Sequence, residues 1–294
     1  MSNRTSVFYR PEQSCDAAVG YSPSAGKPAK VIADWLSLPE IASSIRVESF
    51  DPVDADVLAL AHDPAYVNGV LECRIANGFS NRDADVAKSL PYTVGSLVAA
   101  CRYAVEHRTL AVSATSGFHH ANYKYGGGFC TFNGLVIAAQ KMKQLGLVKH
   151  VLIIDGDAHY GDGTDSCIAA TKSGEWIKNI TRSTHYDTAK EFFQCIDIKT
   201  LMAHYEELWE DIGSTLVIYQ AGADAWEKDP LRSGVFTLKQ LEMRDRRIFS
   251  MAKEYGVPLV VNLAGGYSVD SNGSIEPVLR IHRQTIQAAI GVYQ

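Results

Sequence analysis

The chain has 294 residues, 46% hydrophobic and 21% charged, with 28 Lys+Arg against 33 Asp+Glu and a net charge of −5. That composition excludes disorder, collagen and coiled coil as the main state, and it holds no basic surplus that would make nucleic acid the default partner. The length suits one large α/β domain or two ordinary ones.

No repeat, low-complexity segment or linker divides the chain, so the sequence predicts a single domain over residues 1–294. The six cysteines form no CxxC pair and read as scattered reduced thiols. The first twenty residues carry no apolar stretch of signal-peptide length, and runs such as Val151–Ile154 are too short to cross a bilayer. The expectation is therefore a cytoplasmic protein with no membrane partner and no direct nucleic-acid partner.

In chain order, Val94, Leu97, Val98, Cys101 and Val105 follow a helical period and precede an apolar run, Leu110–Ala114. Asn133 is placed to cap a helix from about Gly134 to near Gly146. His150–Ile154, Ser214–Tyr219 and Pro258–Leu263 are further short apolar runs. Thr237 with Gln240 forms a capping box for a helix that should stop near Gly256. The apolar runs do not alternate polar and apolar residues, as strands buried on both faces do not. With helices between them they predict a mainly parallel sheet covered on both sides.

Each strong strand is followed by polar, glycine-containing sequence. Thr115-Ser-Gly-Phe-His-His120 follows the first, Asp155-Gly-Asp-Ala-His-Tyr-Gly-Asp-Gly163 the second, Gln220-Ala-Gly-Ala-Asp-Ala225 the third and Ala264-Gly-Gly-Tyr267 the fourth. Ligands of open α/β sheets bind beyond the carboxyl ends of the strands, so these loops should share one site. Asp157 and His159, two apart in extended chain, share a side. With Asp224 they offer three ligands and an open position, the pattern of a catalytic metal centre. Zinc suits that set, and Fe(II), Co(II) or Mn(II) are also admitted. The adjacent His119 and His120 can divide general base and acid work beside a metal-activated water, each needing an orienting carboxylate. Asp155 and Asp162 are the nearest spare acids. Tyr267 can donate to an oxyanion, and Gly126-Gly-Gly-Phe-Cys130 can form one wall of a narrow apolar tunnel. Each of these residues has an ordinary structural reading by itself, as loop, cap, surface or core; together that reading weakens.

These segments resemble the zinc-dependent histone deacetylase family, which includes acetoin-utilisation proteins and acetylpolyamine amidohydrolases. The matching stretches are Gly117–Ala121, Gly127–Asn133, Asp155–Gly163, Gly222–Ala225 with Asp229-Pro-Leu231, and Gly265–Tyr267, with a weaker match at His62-Asp-Pro-Ala-Tyr66. The resemblance covers roughly residues 55–290. It implies the three-layer α/β/α fold shared by arginases and deacetylases, with Asp157, His159 and Asp224 as zinc ligands and Fe2+ or Co2+ as alternatives. It implies His120 as principal base and acid, paired with Asp162, and His119 as its electrostatic partner, paired with Asp155. Tyr267 would polarise the acyl carbonyl. Phe129 and Gly128 would line an acyl-lysine tunnel, with Phe193 facing them. Leu231 would be an apolar rim residue, where an acid would favour polyamines. A structural K+ or Na+ would sit on the backbone carbonyls of Asp155, Asp157 and His159 with Ser183.

The chain also departs from the family pattern. Tyr160 stands where many members have a second histidine, Ala264 replaces a glycine, and a family arginine near an internal channel falls on Lys30. A substrate-binding loop aspartate would be Asp83 or Asp85, in the rim region Ser80–Pro91. The expected activity is hydrolysis of an acetyl-lysine peptide or related acylated amine. The alternatives are an acetylpolyamine or other small-molecule amidohydrolase, and a non-catalytic acyl-lysine binder. A two-manganese ureohydrolase is remote, because Asp157-Ala-His159 is followed by Tyr-Gly-Asp162, one residue too long for its motif.

Overall fold

The structure, a computed structural model, describes residues 4–15, 23–231 and 233–294. Seven strands form one sheet: β1 (Thr5–Phe8), β2 (Ile45–Glu48), β3 (Leu110–Ser113), β4 (His150–Asp155), β5 (Ile177–Ile180), β6 (Thr215–Gly222) and β7 (Leu259–Ala264). Their spatial order is β2-β1-β3-β7-β6-β4-β5, and every pairing is parallel. β6 and β7 are buried at every position, which explains their continuous apolar runs.

Successive strand residues feed two cores. Leu152 and Ile154 of β4 join Trp35, Ile248 and Phe249 on one side. Val151 and Ile153 join Leu97, Leu135 and Met142 on the other. The period of two along the strand sends neighbours to opposite faces, and the helices complete a three-layer α/β/α arrangement. On one side lie Lys27–Ser37, Leu238–Glu254 and Glu276–Tyr293; on the other, Ala84–His107 and Gly134–Gln144.

Helix ends follow the side chains expected to make them. The Asn133 side chain accepts from Val136 N–H at 3.2 Å and starts Gly134–Gln144. Thr237 and Gln240 form a reciprocal box, with the helix ending at Glu254. Two expectations change. Most of Ser80–Pro91 is not a rim loop: from Ala84 it is helix, with Pro91 inside it. Asp83 is that helix's cap, accepting from the Asp85 and Val86 amides, and Asp85 pairs with Lys88. Neither is a free loop carboxylate. Of the expected rim, Phe79 just upstream approaches the site, its ring centroid 5.8 Å from that of Phe129.

Candidate active site

The four loops expected to share a site leave β3, β7, β6 and β4, which lie side by side in the middle of the sheet. Asp157, His159 and Asp224 bring ligand atoms within 4.8 Å of one another. Asp157 and Asp224 are buried, while His159 keeps one side toward solvent. The His159 Nδ1 lies 3.2 Å from Asp157 Oδ1 and 3.0 Å from Asp224 Oδ2, the latter without the alignment of a hydrogen bond. The backbone makes room for the carboxylates. Gly265 has φ +51°, and a Cβ there would stand 2.2 Å from Asp224 Oδ1.

Electrostatics mark the triad as an anionic well. The hydrogen bond to Asp157 and the close Asp224 carboxylate raise His159 to about 10. Burial and the adjacent Asp157 push Asp224 up to about 7. Burial also opposes ionisation of Asp157, but His119 and His159 outweigh it and hold that carboxyl below the usual range. Among the described residues no lysine or arginine bonds to either carboxylate. Two carboxylates and an imidazole around a buried, incompletely satisfied oxygen fit a divalent cation with an open position.

The histidine pair stands beside this well, ring centroids 4.1 Å apart. His119 is buried, its Nδ1 2.7 Å from Asp155 Oδ2 and its Nε2 3.5 Å from Asp157 Oδ1. His120 is half-buried, its Nδ1 2.7 Å from Asp162 Oδ1. The two rings diverge in basicity. Burial lowers His119, but Asp155 and Asp157 overcome it and raise the group to about 9. Burial and the neighbouring His119 lower His120 below its ordinary value, against Asp162. Two rings pushed apart in this way differ in protonation near neutral pH, the condition under which one can serve as a base and the other as a charge. Gly128, at φ +50°, lets the backbone pass the His120 ring, which a Cβ would meet at 2.4 Å.

Tyr267 faces Phe129 with centroids 5.8 Å apart. Burial, reinforced by Asp224, raises its phenol, so it keeps its proton and is a donor. Its backbone N–H donates to Asp229 Oδ2 at 2.9 Å. The same carboxylate takes the Leu231 amide at 3.1 Å, and Leu231 itself is exposed. Phe193 meets Phe192 and Phe236, at centroid distances of 6.1 Å each, and packs against the core. The expected opposition to Phe129 is not among its ring contacts.

Two further assignments are corrected. Ser183 sits exposed in a turn with φ +63°, and the hydroxyl at the Asp155 and Asp157 carbonyls belongs to Tyr186. Lys30 is exposed, whereas Lys27 is wholly buried and donates to the Gly265 carbonyl. Burial lowers Lys27 to about 8, partly offset by Asp224 and Asp157. Sequence reasoning also missed Gln220 and Thr181, which join the amide of Asp157 and His119 around the Asp155 carboxylate.

The histone deacetylase domain model matches residues 23–194 and 178–278. An uncharacterized protein of Picosynechococcus sp. is 30% identical over 241 residues, covering 77% of this chain and 80% of that one. Histone deacetylase 2 of Arabidopsis thaliana is 27% identical over 196 residues, 60% of this chain and 49% of the relative. The chain thus spans about half the length of that plant relative. Two solved structures share the fold. One is acetylpolyamine aminohydrolase from Burkholderia pseudomallei (TM-score 0.71, 16% identity, 97% of this chain and 98% of that one). The other is the HD domain of HDA15 (TM-score 0.76, 17% identity, 98% and 90%). No helix among the described residues is long and apolar enough to cross a membrane.

Proposed function

Because the chain belongs to the histone deacetylase domain family, we propose that residues 1–294 act as one catalytic unit, a metal-dependent amidohydrolase that cleaves acetyl-lysine or a related acylated amine. Asp157, His159 and Asp224 would hold the divalent ion, zinc by preference with Fe2+ or Co2+ as substitutes. Such an ion would polarise the acyl oxygen and acidify water.

The remaining chemistry belongs to side chains. His120 is neutral near pH 7, with Nδ1 engaged by Asp162, so its Nε2 is the free base for a proton of the attacking water. That proton then passes to the leaving nitrogen, giving carboxylate and free amine. His119 stays charged against Asp155 and favours the anionic transition state. Tyr267 donates to the acyl oxygen as negative charge develops there. Phe129 and Gly128 line the approach, and Leu231 gives the rim an apolar, uncharged face, which favours acyl-lysine over a polycation. Acetylated polyamine remains the second substrate reading, since one fold relative is named for that activity.

The observation that carries the proposal is the pair of His–Asp couples beside a three-ligand anionic well. A pure acyl-lysine binder would need the tunnel but neither couple. The test loads purified protein with Zn2+, Co2+ or Fe2+ and assays acylated lysine peptides and acetylpolyamines, with and without chelator. Chelator-sensitive release of free amine is expected, with peptides preferred. Peptide binding without turnover under every metal would refute catalysis, and preference for polyamines would overturn the argument from Leu231.

A further inference from the structure

Behind the metal well, the backbone carbonyls of residues 155–158, which lead into the loop carrying Asp157 and His159, are met by protein donors. The family resemblance implies a monovalent cation there, on backbone carbonyls. The residues present do not fit it. The buried Tyr186 hydroxyl lies 2.7 Å from the Asp155 carbonyl oxygen and 3.2 Å from that of Asp157. Arg244 Nη1 donates to the Gly156 carbonyl at 2.8 Å and to Gly222 at 3.0 Å. Arg182 Nη1 donates to the Ala158 carbonyl at 2.7 Å. Four successive carbonyls, 155 to 158, therefore already have a partner. The Asp155 carboxylate is also engaged, by His119, Thr181, Gln220 and the Asp157 amide.

The donors are themselves fixed. Ser183, exposed, gives its amide to the Tyr186 carbonyl at 2.9 Å, closing the turn from which the Tyr186 ring enters. That ring packs edge-on against Phe192 at 4.8 Å. Arg244 is wholly buried and paired with Asp245 at 3.0 Å, which in turn accepts from Thr285 at 2.6 Å and from Tyr219. A K+ or Na+ would have to displace the phenol and sit beside two guanidinium groups of its own sign.

We infer that Tyr186, Arg182 and Arg244 replace the structural monovalent cation, so that this chain binds no K+ or Na+ behind its metal loop. The three are positioning residues for Asp157 and His159. The inference stands on the loop's supports and holds whether or not the site hydrolyses amides.

The test uses full-length protein, metal-free and Co2+-loaded, in KCl, NaCl and N-methylglucamine chloride at equal ionic strength. A bound ion stabilises the native state by mass action. Melting temperature of the metal-free protein is therefore expected to agree within about 1 °C in the three salts. The Co2+ dissociation constant should agree within about twofold. Tyr186→Phe removes the hydroxyl whose one proton the Asp155 and Asp157 carbonyls share. It should weaken Co2+ binding about ten- to a hundredfold, the usual scale for outer support of metal ligands, and shift the visible Co2+ absorption. Arg182→Gln tests the same clamp if the phenylalanine variant does not fold. A K+-specific rise of several degrees, or a K+-specific gain in Co2+ affinity, in the unaltered protein would overturn the inference. So would variants whose Co2+ affinity and spectrum match the unaltered protein.

Discussion

Acidification from pH 7 to pH 5 should destabilise this protein by a definite amount through His62 alone. The ring is wholly buried. Its Nδ1–H donates to the Asn122 carbonyl at 3.0 Å, and its Nε2 accepts the Asn133 amide at 2.7 Å. One tautomer satisfies both contacts, and a second proton on Nε2 would face an N–H. Burial lowers the group to about 4, although backbone carbonyls work in the opposite direction. The unfolded ring titrates near its ordinary 6.5, so the unfolded chain binds more protons than the native one between these values. Stability due to the neutral ring is then complete above 6.5 and is lost as pH falls toward 4. At 1.36 kcal/mol per unit, roughly 2 kcal/mol should disappear between pH 7 and pH 5. The assay is urea unfolding at half-unit intervals, comparing the protein with His62→Gln, which lacks the titration. Other buried histidines, such as His282, titrate equally in both proteins, so the difference isolates His62. The variant's curve should be flatter by about that amount; parallel curves from pH 7 to 5 would refute the reasoning.

Tyr267→Phe removes a hydroxyl that bonds to no described residue, so melting should be nearly unchanged while turnover falls about 10²–10³-fold; turnover within about fivefold of the parent would take Tyr267 out of the reaction. Gly265→Ala puts a Cβ 2.2 Å from Asp224 Oδ1 at φ +51°, and equilibrium dialysis should show zinc binding weakened at least tenfold; full zinc occupancy with normal turnover would contradict the proposed ligand geometry. Because burial and His119 lower His120, the acid limb of kcat/KM should fall below pH 6.5, with activity lost as the base becomes protonated. A limb at pH 7 or above would argue against His120 as the base.

The loops were legible because chemistry and topology agree there. Asp157, His159 and Asp224 follow strands whose apolar runs are obvious, and a parallel sheet leaves such loops only one end to occupy. The His–Asp couples were legible for the same reason, both spare acids lying in the loop that carries the ligands. Two strands on one side of the sheet were not: Ile45–Glu48 at the edge and its neighbour Thr5–Phe8 are four residues each and half polar, so they show neither a period nor an apolar run. Ser183 misled because spacing from β5 does not reveal a turn with positive φ, which carries Ser183 outward and Tyr186 inward. Lys27 and Arg244 were hidden by their charge, since burial of a cation is decided by distant carbonyls and carboxylates. Arg244 did leave a trace, falling between Leu241 and Ile248 on the apolar stripe of its helix. The weak His62–Tyr66 match is a brace: Tyr66 donates to the Thr131 carbonyl at 2.8 Å as His62 fixes Asn133.

The neighbouring central strands act as a ruler. Asp155 stands opposite Gln220, and Gly222 opposite Ala264, along hydrogen-bonded rungs spaced about 4.8 Å. Separations among the first residues beyond each strand are therefore inherited from backbone pairing and stay constant however the outer halves of the loops vary. Retargeting this scaffold to other acylated amines should accordingly work best at exposed outlying positions such as Leu231 and Tyr125, where sequence can drift without moving a ligand.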